Sequence, residues 1–188
     1  GGSDDYNFSP TAFHSSYSEF IHNCNSLAVG CMQTLSETRR TYENDGTVRT
    51  STTVHEYNNP DTYFRPTSTT VTESDGSCVT VRSIYATDYS SASDIPAILS
   101  SKNIISKPLE QVQVRDGVVT SAVLNIYDTD GEPVKSYSLN ESGLPASDFR
   151  LSNNTAGGIE YSGPGAFNPE LSLYRLDAEA EYDNLKRL

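Results

Sequence analysis

The chain has 188 residues, a net charge of -12, 35% hydrophobic residues and a mean hydropathy of -0.51, with a pI near 4.5. Phosphate backbones attract basic surfaces, so an acidic chain with 13 Lys and Arg is expected to bind no nucleic acid. No run approaches the roughly 18 apolar residues that cross a bilayer, so no transmembrane segment is expected.

The composition is that of an exported β-rich protein: 26 Ser, 18 Thr and 12 Tyr against 6 Phe and no Trp. The start, Gly1-Gly2-Ser3-Asp4-Asp5, lacks the basic and apolar regions of a signal peptide. The expectation is an exported protein (periplasmic, outer-membrane-associated or secreted) whose signal peptide is absent from this sequence. Residues 1–33 form a poorly defined N-terminal segment, with Tyr17 to His22 and Leu27 to Thr34 as candidate strands. Residues 34–188 read as one antiparallel β domain. Its punctuation is Asp-Gly, at Asp45-Gly46, Asp75-Gly76, Asp116-Gly117 and Asp130-Gly131. Asp-Gly between β-prone runs predicts a hairpin with a type I′ turn, because Asp tolerates and Gly readily adopts positive φ.

The arms follow in chain order. Thr38 to Glu43 and Thr47 to Tyr57 flank the first turn, and Thr67 to Glu73 and Cys78 to Tyr85 the second. Both pairs are rich in Thr, Val and Tyr, which suit a pleated sheet. Asp94 is a candidate N-cap, with Pro96 in the first turn of a short helix near 95–102. Strands resume over 109–140. In Val118 to Tyr127, Ala122, Leu124 and Ile126 line one face, with Ser121, Val123, Asn125 and Tyr127 on the other. Gly and Pro between 141 and 168 predict a long loop, and Leu171 to Ala180 a last strand. The fold class is therefore all-β, an antiparallel hairpin meander with one or two short helices. Many strands are polar on one or both faces, which suits a broad sheet with a solvated face or one layer of a larger sheet.

Tyr127-Asp128-Thr129-Asp130-Gly131, Tyr182-Asp183-Asn184-Leu185 and, more loosely, Tyr42-Glu43-Asn44-Asp45-Gly46 carry a Tyr-Asp phrase. So does the run from Arg65-Pro66-Thr67 through Asp75-Gly76 to Tyr85-Ala86-Thr87-Asp88-Tyr89. Over about residues 34–188 these segments resemble Rhs/YD-repeat proteins, specifically large YD-repeat-like exported proteins of Bacteroidetes. The resemblance implies successive hairpins winding into a sheet that can close as a shell around a cargo. With no catalytic constellation and few Lys to guard its strand edges, the chain is expected to be a non-catalytic structural or interaction segment of such a protein, pairing through sheet edges with flanking repeats or a second copy. The Asp-Gly turns are unevenly spaced, so the chain has no strict repeat.

Few residues carry chemistry. His14, His22, Cys24 and Cys31 have metal-ligand types but not the short pair spacings of zinc sites. Cys24 and Cys31 are close enough in sequence to bridge; Cys78 reads as a small apolar strand residue. Asp128, Asp130 and Glu132 bracket Gly131, but the position of an EF-hand's first carboxylate is Ile126, so a turn with solvated acids is expected. His55 sits in a Thr-rich strand without a Gly-x-Ser-x-Gly elbow in the chain. Glu56 with Asp61, and Glu179 with Glu181, are acid pairs of the type used in glycoside cleavage. No metal, cofactor or catalytic residue is assigned. Tyr57, Tyr63, Phe64, Tyr85 and Tyr89 are candidate ligand-binding residues, since exposed aromatic clusters stack on sugars and peptides; alternatively they pack the sheet. A carbohydrate- or peptide-binding β-module is thus the second reading of function, and a small hydrolase the third.

Overall fold

The computed structural model describes residues 33–59, 65–90, 94–154 and 156–182. Among them, nine strands form a single antiparallel sheet: β1 (Ser36–Tyr42), β2 (Val48–Glu56), β3 (Ser68–Thr72), β4 (Cys78–Tyr85), β5 (Pro108–Arg115), β6 (Val118–Tyr127), β7 (Pro133–Leu139), β8 (Leu144–Pro145) and β9 (Tyr174–Glu179). Spatial order follows chain order from β1 to β7, and β9 then joins β7; β8 pairs with the first residues of β6. A 3-10 turn (Ala86–Asp88) and helix α1 (Ile95–Ser101) separate β4 from β5. A second 3-10 turn, Leu171–Leu173, leads into β9. The hairpin meander with one short helix is the architecture that the sequence predicts. Asp94 precedes α1 in extended conformation but its carboxylate makes no capping hydrogen bond. The zinc candidates His14, His22, Cys24 and Cys31 lie outside the described residues, as do the strand proposed at Tyr17 to His22, Asp61, Tyr63 and Phe64.

The Asp-Gly turns come in two kinds. Only Asp116-Gly117 has positive φ at both residues, 49° and 82°, as a type I′ turn demands. The other three share a different pattern. Gly46 donates to Glu43 O, Gly76 to Glu73 O and Gly131 to Asp128 O, while Glu43, Glu73 and Asp128 donate to Thr47, Ser77 and Glu132. These are three-residue loops: a type I turn, then a left-handed glycine forming a bulge. The side chain selects this form. Asp45 Oδ1 accepts the Thr47 N–H and Asp75 Oδ1 the Ser77 N–H, both at 2.9 Å, so the aspartate closes the loop from an ordinary negative-φ conformation.

Strand pairing sets which residues share a face. Val54, Thr70, Thr80, Val114 and Val119 lie side by side across β2 to β6, and so do Ser68, Arg82, Val112 and Ala122 across β3 to β6. At the β4–β7 end this face is apolar and covered. Ile84, Val112, Val114, Val119, Ala122 and Leu124 form one buried cluster with Phe149 and Leu151 of the segment after β8 and with Tyr174 of β9. The segment after β8 supplies that cover despite its glycines and prolines. Gly165 shows how tightly that segment packs on itself: a Cβ there would fall 1.9 Å from the Asn153 carbonyl oxygen. Burying six such side chains at about 25 cal/mol per Å2 stabilises this half by about 10–15 kcal/mol before chain entropy is subtracted. At the β1–β3 end the same face carries Thr38, Thr52, Thr70 and Thr72, and at its border Glu160 of the covering segment bonds Arg82.

Candidate functional site

Buried charge lies at three places on the covered face. Glu110, flanked in its strand by inward Val112, is 1% exposed. Its Oε2 accepts the Ser152 N–H at 2.7 Å and the Ser152 hydroxyl at 2.6 Å, and its Oε1 accepts the Tyr174 hydroxyl. Tyr89 completes the chain, 2.7 Å from Ser152 Oγ. Burial raises the Glu110 pKa above the ordinary carboxylate range, against the lowering effect of its three donors and of Arg150. The tyrosines respond in kind: burial and the Glu110 charge push both Tyr89 and Tyr174 up.

Asp88, fully buried at the end of the 3-10 turn, is the second. It accepts Asn59 Nδ2 at 2.6 Å and the Tyr85 N–H at 2.7 Å, and burial raises its pKa too. Arg82 is the third. Its guanidinium bonds Glu56 of β2 at 3.2 Å and Glu160 of the covering segment at 2.6 Å, so it clips the two halves of the sheet to the layer above.

A carboxylate touching a serine hydroxyl is a fragment of a nucleophile–base pair, but here both groups are sealed. Ser152 is also 1% exposed, and its hydroxyl is held by Glu110 and Tyr89 together. Two cavities lie elsewhere. One of about 420 Å3 is bounded by Asn140 to Pro145 and Leu173, and one of about 310 Å3 by Ile95, Pro96, Leu109, Tyr127 and Phe167. Each has a single carboxylate at its wall, Glu141 and Asp94 respectively. The buried network therefore ties the covering segment and β9 to the sheet, at about 1–3 kcal/mol for each charged hydrogen bond.

The candidate residues from sequence disperse. Tyr85 and Tyr89 are each 7% exposed, and Tyr89 packs edge-on to Phe167 with ring centroids 5.2 Å apart. They belong to the core, where no sugar or peptide can stack. Tyr57 is half-buried and its hydroxyl donates to Thr34 O at 3.1 Å. His55 Nδ1 sits 3.0 Å from Thr69 Oγ1, a cross-strand pair. Glu56 is engaged by Arg82 and Glu179 by Lys135. Asp128 accepts the N–H groups of Asp130 and Glu132, and Asp130 pairs with Lys102, so these acids serve the turn. Among the described residues no group of His, Cys, Asp and Glu is arranged to hold a metal. No helix among them is long and apolar enough to cross a membrane.

Among the described residues, what remains open is the β1–β3 end. All of β1 after Ser36 is exposed, and Tyr42, Val48 and Val54 are large apolar side chains on its uncovered face. Its backbone polarity follows from two bonds. His55 donates to Leu35 O and Glu43 donates to Thr47 O, so odd-numbered residues of β1 face β2. Ser36, Thr38, Arg40 and Tyr42 must then direct their N–H and C=O groups away from the sheet. The opposite edge differs. β9 carries an irregularity where Tyr137 pairs Leu176 and Ser136 pairs Ala178, leaving Asp177 as an extra residue. Such a bulge guards an edge against pairing, whereas β1 is regular over seven pairs. No family model matches this chain, and neither does any curated protein or solved structure.

Proposed function

We propose that the chain is a non-catalytic structural or interaction segment of an exported YD-repeat-like protein, working through its sheet. One observation carries this reading: among the described residues, the β1–β3 end keeps an uncovered face and a regular edge with four outward residues, while the buried acids Glu110 and Asp88 are spent on internal bonds. Isolated hairpin arms with little apolar burial are marginal in water. Neighbouring β-structure added at this edge would supply the missing partners. A carbohydrate- or peptide-binding role through the tyrosine cluster is less well supported, because Tyr85 and Tyr89 lie in the core.

Hydrogen exchange tests the reading. The outward amides of Ser36, Thr38, Arg40 and Tyr42 should exchange freely in the dilute chain. In the complete gene product isolated from its source they should be protected about tenfold or more. Equal exchange in both, or turnover of ester, peptide or glycoside substrates by the chain, overturns it.

A further inference from the structure

We infer that β1 is a self-complementary edge: two copies of this chain pair antiparallel through it about a two-fold axis at Thr38, making one continuous sheet. The inference rests on the interaction reading above and names the partner.

The register follows from the backbone and the charges. A two-fold axis between antiparallel edges places residue i opposite a residue of the same parity, so only a few registers exist. Hydrogen bonds require the outward residues Ser36, Thr38 and Arg40 to meet their counterparts. Centring on Thr38 sets Thr38 against Thr38, Ser36 against Arg40 and Arg40 against Ser36. Each of these pairs exchanges two backbone bonds. The same register sets Glu37 directly against Arg39 on both sides of the axis, in the close non-hydrogen-bonded positions where cross-strand charge pairs act most strongly. The neighbouring registers fail on charge. Centring on Glu37 opposes Glu37 to Glu37, on Arg39 opposes Arg39 to Arg39, and on Arg40 opposes Arg40 to Arg40.

Nothing in the described hairpin conflicts with this pairing. Glu37, Arg39 and Arg40 are exposed, and the ion pair of the hairpin, Arg49 with Glu43, lies at its far end. Thr38 on each copy would extend the threonine row that runs through Thr52 and Thr72, and each Tyr42 ring would gain the partner's strand as a neighbour.

Sedimentation equilibrium in about 0.15 M salt, where long-range repulsion between acidic copies is screened, tests the inference. The parent chain should show a reversible monomer–dimer equilibrium. Thr38→Pro removes an outward N–H and no bond to β2, so it should keep its melting temperature within a few degrees yet weaken the dimer about thirtyfold or more. Glu37→Arg alone and Arg39→Glu alone each set like charges opposite, and each should weaken it about tenfold. An equimolar mixture of those two variants restores both ion pairs, and a heterodimer should form with near-parental affinity.

A parent chain that stays monomeric at millimolar concentration overturns the inference. So does a dimer indifferent to Thr38→Pro, or charge variants that fail to rescue each other. None of these outcomes decides the interaction reading, which stands or falls on hydrogen exchange in the gene product and on turnover.

Discussion

The two ends of the sheet are made by the same device and come to different ends. Hairpin β1–β2 and hairpin β6–β7 use the same three-residue turn, with matching bonds from Gly46 and Gly131. β1–β2 pairs without interruption, whereas β6 is bulged against both β5 and β7. On their shared face, one end presents Thr38 and Thr52 and the other Val119, Ala122 and Leu124. Hairpin geometry is therefore indifferent to burial, and the side chains on one parity of positions decide where a second layer settles. Threonine satisfies the pleat while leaving the face wet.

The largest effect expected from this contrast comes from paired truncations. Phe149 is 0% exposed against 74% for Tyr42. Phe149→Ala should lose about 3–5 kcal/mol of unfolding free energy, and Tyr42→Ala less than about 0.5 kcal/mol in the dilute monomer. Urea titration measures both, and comparable losses would mean that the two ends are stabilised alike.

An intermediate effect is the pH dependence held by Glu110. Its carboxyl keeps a proton to higher pH in the folded chain than in the unfolded one, chiefly because it is buried. The folded state then binds more protons, so this contribution to stability is greatest in acid. It falls as pH rises from the usual glutamate range, near pH 4–5, through the raised value, with a slope of at most about 1.4 kcal/mol per pH unit. Glu110→Gln cannot titrate. The stability of the parent relative to this variant should therefore decline with rising pH and then level off. Asp88 is shifted the same way, and together with the surface acids it cancels in the difference. A flat or rising difference would show that the covered end is not tied down through a buried acid.

The smallest effect belongs to the open end. Gly46 has φ of +85° with nothing near its missing Cβ. Gly46→Ala therefore carries only backbone strain, about 1 kcal/mol. Amide exchange should speed up in β1 and β2 alone, leaving β5 and β6 at the global rate. Faster exchange throughout would join the two ends into one cooperative unit.

Most strands, the position of α1 and the inward Ala122 and Leu124 of β6 could be read from alternation, capping and Asp-Gly; strict alternation turns Tyr127 outward, but register shifts in the ladders on either side of β6 place both Val119 and Tyr127 in the core. The turn type could not, because Asp45, Asp75 and Asp128 compete through side-chain bonds that a dipeptide rule ignores. Nor could the second layer. Phe149 and Leu151 are isolated apolar residues in a Gly/Pro-rich stretch without periodicity, and they read as loop. Glu110 was legible in part: it shares parity with Val112, which marks an acid on an apolar face. Its partners Ser152 and Tyr174 lie 42 and 64 residues away and leave no local trace.

The order of strands also dictates the order of assembly. From β1 to β7 every ladder joins neighbours in the chain, mostly across tight turns. Such contacts close small loops and form fast. The β7–β9 ladder closes only after the chain from Asn140 to Leu173 has travelled over the sheet and back. Closing that loop rather than a three-residue turn costs about 2 kcal/mol more in chain entropy. β9 is therefore the last strand of the covered end to dock. The Tyr174 hydroxyl reaching Glu110 acts as its fastener, so that release of one strand end would open the acid, the covering layer and the core to water together.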